Sequence, residues 1–213
     1  MTSPMTMNES YGNLYVVSSP SGGGKTTLVS QLLECTPDLM RAITHTTRPP
    51  RPDEKNGVHY HFVNPDEFAL LIDNDGFLES AQVFKNQYGT SKKEVVSKLK
   101  RGMDVVLVID WQGAQQVRIK EPNAITIFIL PPSIDALRAR LLTRNQDSFS
   151  VVETRMEDAV TQISHYVDFD YLLINDDFDM ALAQLRAIIM AQRLRNNRQT
   201  LKHKELINAL IDD

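Results

Sequence analysis

The stretch Ser19-Pro20-Ser21-Gly22-Gly23-Gly24-Lys25-Thr26-Thr27 follows an apolar run, Leu14 to Val17, and precedes apolar residues at helical spacing, Leu28, Leu32 and Leu33. A strand, a glycine-rich turn and a helix start in that order commit this part of the chain to an α/β arrangement. Consecutive glycines let the backbone curl so that successive N–H groups point at one anion, and the helix N-terminus adds free donors and the positive end of its dipole. In such a loop Lys25 reaches the β- and γ-phosphates of a nucleotide, and the Thr26 hydroxyl touches Mg²⁺. The alternative is a surface turn that happens to contain a lysine; the flanking strand and helix favour the phosphate loop. Ser19 stands where the usual pattern has its first glycine.

The rest of the chain keeps the α/β rhythm. Thr44 to Glu54 carries three prolines, which exclude a regular helix. Val58 to Val63 alternates like a strand. Asn64, Pro65 and Glu67 open a short helix through Ile72. Phe77 to Val83 reads as a strand and Gln87 to Thr90 as a loop. Ser91 and Glu94 cap a helix that Gly102 ends. Strands follow at Val105 to Ile109 and Ile125 to Leu130, with helices after Gln112 and Ser133, another over about Val151 to Tyr166, a strand at Tyr171 to Ile174 and two closing helices. Apolar strands separated by helices imply a parallel sheet covered on both faces, with the region from about 44 to 90 as an insert.

Bulk properties exclude several classes. With 213 residues the chain can bury a sizeable core. Its first twelve residues are polar and its longest apolar stretch, Ala124 to Leu130, is too short to span a bilayer, so neither a secretion signal nor membrane association is expected. Cys35 is the only cysteine, which rules out an internal disulfide and fits a reducing cytoplasm. A net charge of −4 argues against general nucleic-acid affinity, so an anionic ligand must be held by local clusters.

Two arginine groups supply such clusters. Arg48 and Arg51 lie in the proline-stiffened loop, with Tyr60 and Tyr88 in the same insert; guanidinium groups and tyrosine hydroxyls together suit a second phosphate. Arg138, Arg140 and Arg144, followed by Arg155, flank the polar stretch Asn145-Gln146-Asp147-Ser148, the composition of a hinged lid. A solvated loop and a salt-bridged helix face are the alternatives. His59 and His61 share one face of a strand pattern, but without a third ligand a surface or packing role is favoured over a metal site. Trp111 reads as packing. The basic C-terminal stretch with Arg193, Arg195, Arg198, Lys202 and Lys204 reads as a solvated helix face or a subunit contact in a homo-oligomer.

Taken together, these blocks resemble the guanylate kinases of bacteria, from about Gly12 to about Arg195. The resemblance is carried by Thr44 to Glu54 with Asn56-Gly57 and Tyr60, by Phe77-Leu78-Glu79, Tyr88-Gly89-Thr90, Ile109-Asp110-Trp111-Gln112-Gly113 and Asn175-Asp176-Asp177. It implies a three-layer P-loop NTPase fold with a parallel sheet core, spanning residues 12–195. A GMP-binding insert at about 44–90, a helical lid at about 138–160 and a C-terminal helical extension at 196–213 are implied with it. The implied reaction is ATP plus GMP giving ADP plus GDP, with dGMP as a further acceptor and Mg²⁺ accompanying ATP. By the same resemblance Ser19 to Thr27 (Ser19, Pro20, Ser21, Gly22, Gly23, Gly24, Lys25, Thr26, Thr27) hold ATP together with Arg140 and Asn175. Arg48, Arg51, Tyr60 and Tyr88 would bind the GMP phosphate; Glu79, Thr44, Thr90 and Asp110 would recognise guanine. Lys25, Arg48, Arg144 and Arg155 would be catalytic, and Thr26 the metal ligand. Asn175 reads equally well as a turn residue ending its strand. Thr44 keeps the hydroxyl of a more usual serine, and Asp53 and Asn145 stand at frequent glycines. Val108 replaces an aspartate common among relatives, so metal ligands beyond Thr26 stay open. A protein-binding module of the same fold is the rival from another class, but Lys25, Thr26, Arg144 and Arg155 are all present here. A regulatory GTPase lacks support because no Asn-Lys-x-Asp or Thr-Lys-x-Asp motif occurs. Another nucleoside monophosphate kinase remains open on loop evidence alone.

Overall fold

The computed structural model describes residues 12–83, 85–143 and 149–212, with side chains at all of these but 83, 143 and 149–155. Five strands form a parallel sheet in the spatial order β2(Leu39–Arg41), β7(Asp104–Val108), β1(Leu14–Ser18), β8(Ile125–Leu130), β9(Tyr171–Ile174). Alternation along the strands builds two cores. Tyr15, Val17, Val106, Ile127 and Ile129 face α1(Lys25–Cys35) and α7(Phe178–Arg193), through Leu28, Leu32, Leu185 and Ile189. Leu14, Val16, Val105 and Leu107 face α3(Lys92–Lys100) and α4(Trp111–Lys120), through Val95, Leu99, Ala114 and Val117. The result is three layers, as expected for strands apolar on both faces.

A second sheet, in the order β4(His61–Phe62), β3(Thr44–Thr46), β6(Asn86–Ser91), β5(Phe77–Val83), lies within the insert, with α2(Pro65–Asp73) before β5. Asn64 and Glu67 form the expected capping box of α2. Gln87 to Thr90, expected as a loop, belongs instead to strand β6, which pairs antiparallel with both β3 and β5. Its polar, glycine-containing sequence is not strand-like by itself; two-sided pairing supplies what propensity does not. β4 is shorter than Val58 to Val63 suggested, because Val58 is exposed in a turn closed by Gly57 N–H donating to Tyr60 O.

The polar stretch before α6 is not among the described residues, but α5(Ile134–Thr143) and α6(Phe149–Ile163) pack against each other through Leu137, Leu141, Met156 and Ala159. The helix expected to reach Tyr166 tightens into a 3₁₀ turn at Ser164–Asp168. Where two closing helices were expected there are three, α7, α8(Asn196–Lys202) and α9(Lys204–Ile211). Arg193 and Arg198 are not on a solvated face: both clasp the fully buried Asp104, Arg193 Nε at 2.7 Å and Arg198 Nη1 at 2.5 Å. Asp104 also accepts from Asn13 N–H, so a buried charge is fully paired and α8 is tied to the start of β7. Arg195 and Lys202 remain exposed. No helix among the described residues is long and apolar enough to cross a membrane.

Candidate active site

Ser19, Asp110 and Asn175 follow β1, β7 and β9, so the loop and these residues lie at the C-terminal edge of the parallel sheet, where open α/β sheets place their ligands. The loop leaves β1 at Ser19 and enters α1 at Lys25. Gly22 and Gly24 have φ of +84° and +93°, values that L side chains resist. A Cβ on Gly24 would lie 2.3 Å from Asn175 Nδ2, and one on Gly22 would press into Leu137 and Leu141 of α5. The backbone angle is what calls for glycine at both positions, and at Gly24 a side chain would also displace Asn175 from the loop. Gly24 caps α1 without a side-chain acceptor, and no acidic residue lies in the first turn, so that helix start is electrostatically open to an anion. Ser19 at the first-glycine position is buried, its Oγ donating to Pro20 O. Thr26 and Thr27 are exposed beside the half-buried Lys25.

Two side chains brace the loop from outside, and a third holds one of them. Asn175 follows β9, extends the ladder through its N–H to Leu130 O at 2.8 Å, and donates from Nδ2 to Gly23 O at 3.1 Å. It is thus the strand-ending residue and also a support of the loop. Arg140 Nη2 donates to Asn175 O at 2.8 Å. Gln162 Oε1, on α6, accepts from Ser21 N–H at 3.0 Å. Arg144 and Asn145 to Ser148 lie outside the described residues, as does the side chain of Arg155, whose backbone is in α6.

In the insert sheet, Thr44 faces Thr90 and Thr90 faces Glu79 across three adjacent strands. A bulge between Phe77 and Glu79 sets Leu78 in the core and Glu79 opposite Thr90. Thr90 Oγ1 donates to Glu79 Oε1 at 2.5 Å. Asp110 is the N-cap of α4, accepting from Gly113 N–H at 2.8 Å. Glu79 Oε2 lies against Gly113, where a Cβ would approach it to 3.1 Å. Burial, reinforced by the charge of Asp110 and opposed by the Thr90 hydrogen bond, pushes the Glu79 carboxyl up to about 7. The carboxyl is only 4% exposed, and the Lys120 charge offsets its burial only weakly.

One row further along β6, Tyr88 faces Thr46, and the Tyr60 and Tyr88 rings meet at 6.1 Å. The Arg48 guanidinium lies 5.4 Å from the Tyr60 ring centre and donates to both oxygens of Glu54 at 2.8 Å. The Arg51 amide and the Arg48 guanidinium hold the Glu54 carboxyl below the usual carboxylate range. Arg51 itself is exposed, its charge adding to that of Arg48 on Glu54.

The structure thus gathers Thr44, Glu79, Thr90 and Asp110 in one group and Arg48, Tyr60 and Tyr88 in a neighbouring one, with Arg51 at the rim. Three positioning residues escaped the sequence reading. Glu54 carried a faint signal, lying three residues after Arg51 in a turn closed by Glu54 N–H on Arg51 O. Gln116 ties α4 to both backbone groups of Ser80, fixing the strand beside Glu79, and Gln162 reaches Ser21 from 141 residues away. Neither has a local signature. Trp111 packs as expected, stacked on His165 at 3.5 Å. His59 accepts from Lys55 N–H and His61 pairs with Glu94 at 3.2 Å.

A parallel sheet with a glycine-rich phosphate loop at the end of its central strand defines a P-loop NTPase. Comparison with known proteins narrows the class. A family model described as guanylate kinase matches residues 11–192. A guanylate kinase of Saccharophagus degradans is 53% identical over 200 residues, covering 94% of this chain and 98% of its own. One of Escherichia coli is 53% identical over 204 residues, covering 95% and 99%. The crystal structure of guanylate kinase from Anaplasma phagocytophilum matches with a TM-score of 0.72 at 32% identity, covering 91% of this chain and 92% of that one. The chain belongs to the guanylate kinase family.

Proposed function

We propose that this protein transfers the γ-phosphoryl group of ATP to the phosphate of GMP, giving ADP and GDP, with dGMP as a second acceptor. The observation that carries this reading is the row Thr44, Thr90, Glu79, closed by Asp110, at the same sheet edge as the phosphate loop. Guanine presents N1–H and an exocyclic amine side by side, and an ionised Glu79 accepts from both. Adenine offers an acceptor at N1 and would leave the buried carboxylate repelled. Thr44 and Thr90 fill the edge beside it.

In this reading Arg48, Arg51, Tyr60 and Tyr88 bind the GMP phosphate, and Ser19 to Thr27 with Arg140 and Asn175 bind ATP. Mg²⁺ travels on ATP as part of the substrate and neutralises phosphate charge. The exposed Thr26 hydroxyl at the start of α1 is an oxygen donor suited to such a hard cation. The attacking group is a phosphate oxygen, mostly dianionic above a second pKa of roughly 6, so no strong general base is required. Catalysis consists of bringing two anions into line, cancelling their repulsion and excluding water. Lys25 and Arg48 supply charge from the two fixed sides, and Arg144 and Arg155 from the α5–α6 region as a lid of about residues 138–160. The setting is the cytoplasm, where both nucleotides are at hand.

A coupled ADP-release assay with GMP, dGMP, AMP, UMP and dTMP tests the assignment. Turnover with GMP and dGMP, and not with the other three, is expected; equal turnover with AMP would overturn it.

A further inference from the structure

We propose that Gln162 is a positioning residue of the phosphate loop, holding its leading shoulder to the end of α6; this rests on the reading that the loop grips ATP. Pro20 has no N–H, and Gly23 N–H turns back onto Pro20 O at 3.0 Å, so the loop's own turn engages the backbone on both sides of Ser21 and Gly22. The Ser21 N–H is directed outward instead, and its acceptor is supplied by Gln162 Oε1 at 3.0 Å. Asn175 braces the same loop through Gly23 O. The two amide side chains thus grip the loop at two points, one accepting from it and one donating to it.

Gln162 is in turn held in place. It lies in the last turn of α6, directly before the 3₁₀ turn at Ser164–Asp168. Three residues on, His165 stacks on Trp111 with ring centres 3.5 Å apart and planes 8° from parallel. Trp111 is the first residue of α4, next to the cap Asp110. Residues 162–165 therefore touch the phosphate loop on one side and the start of α4 on the other. A side chain anchored that way holds a backbone donor in one geometry before substrate arrives, which lowers the ordering cost at binding.

The test is steady-state kinetics of Gln162→Leu, which keeps the size but has no acceptor, beside Gln162→Glu, which keeps an acceptor oxygen. An amide left without its acceptor should lower kcat/KM for ATP about tenfold in Gln162→Leu. KM for GMP should stay within about twofold, and Gln162→Glu should recover most of the loss. Unchanged kcat/KM for ATP, an equal loss toward both substrates, or a glutamate variant no better than leucine would each overturn the proposal. Hydrogen exchange at the Ser21 amide of the unmodified chain decides the bridge without substrate or variant: slow exchange is expected, and exchange at the rate of an open loop sinks it. If the wild type fails to phosphorylate GMP, the functional reading falls while the exchange result still judges Gln162.

Discussion

The phosphate loop presents backbone amides and is braced by Asn175 and Gln162, with the α5 leucines where a Gly22 side chain would otherwise lie. At the edge of the insert sheet the corresponding groups are long cationic side chains, and Arg48 is kept in place by a charge of the protein's own, Glu54. The first cluster is braced by neutral amide side chains, whereas in the second Arg48 is oriented by an ion pair within the protein itself. The contrast extends to Glu79, whose buried carboxyl is costly to ionise in the empty protein.

The largest effect that tests this contrast is expected from Lys25→Ala. If Lys25 acts on the transferred group as proposed, its removal should lower kcat by about a thousandfold or more in an ADP-release assay, with little change in thermal stability. Glu79→Gln comes next: kcat/KM for GMP should fall by about a thousandfold because a carboxamide cannot accept from both guanine donors. The same variant should be more stable than the wild type above pH 7. The folded Glu79 carboxyl titrates at about 7 against about 4.5 unfolded, so the chain takes up a proton on folding between those values. Stability from this group therefore falls as pH rises through that window, by about 3 kcal/mol at most, and Glu79→Gln should remove the slope in denaturant titrations.

A third and smaller effect follows from the same carboxyl. KM for GMP should rise about tenfold per pH unit below 7, as Glu79 becomes protonated, and Glu79→Gln should flatten that limb of the profile. The smallest is Glu54→Ala, which frees Arg48 from its one orientation. KM for GMP is expected to rise about fivefold with kcat retained, and a drop in KM would show Glu54 to be a competitor of the phosphate rather than a guide for Arg48.

The two regions also differ in how far they could be read from sequence. The phosphate loop is contiguous: glycines, lysine and threonine at fixed spacing between a strand and a helix are a local signal, and the structure places them as read. Capping of α2 by Asn64 and Glu67, and of α3 by Ser91, was equally local. The row of Thr44, Thr90 and Glu79 was named only through family resemblance, because these residues become neighbours only when β3, β5 and β6 pair. β6 itself was mistaken for a loop, and β2 was not foreseen.

The amino-acid order alone dictated the glycine turn, the helix caps and the double-faced apolar strands, since each depends on backbone angles or periodicity within a few residues. Only the folded chain decided which distant groups satisfy one another: Gln162 on Ser21, Asn175 on Gly23, Gln116 on Ser80, and Arg193 and Arg198 on Asp104. Pairing a buried polar group is required by its desolvation cost, but many partners of the right chemistry exist along the chain. Which of them arrives within hydrogen-bond reach is set by how the layers pack.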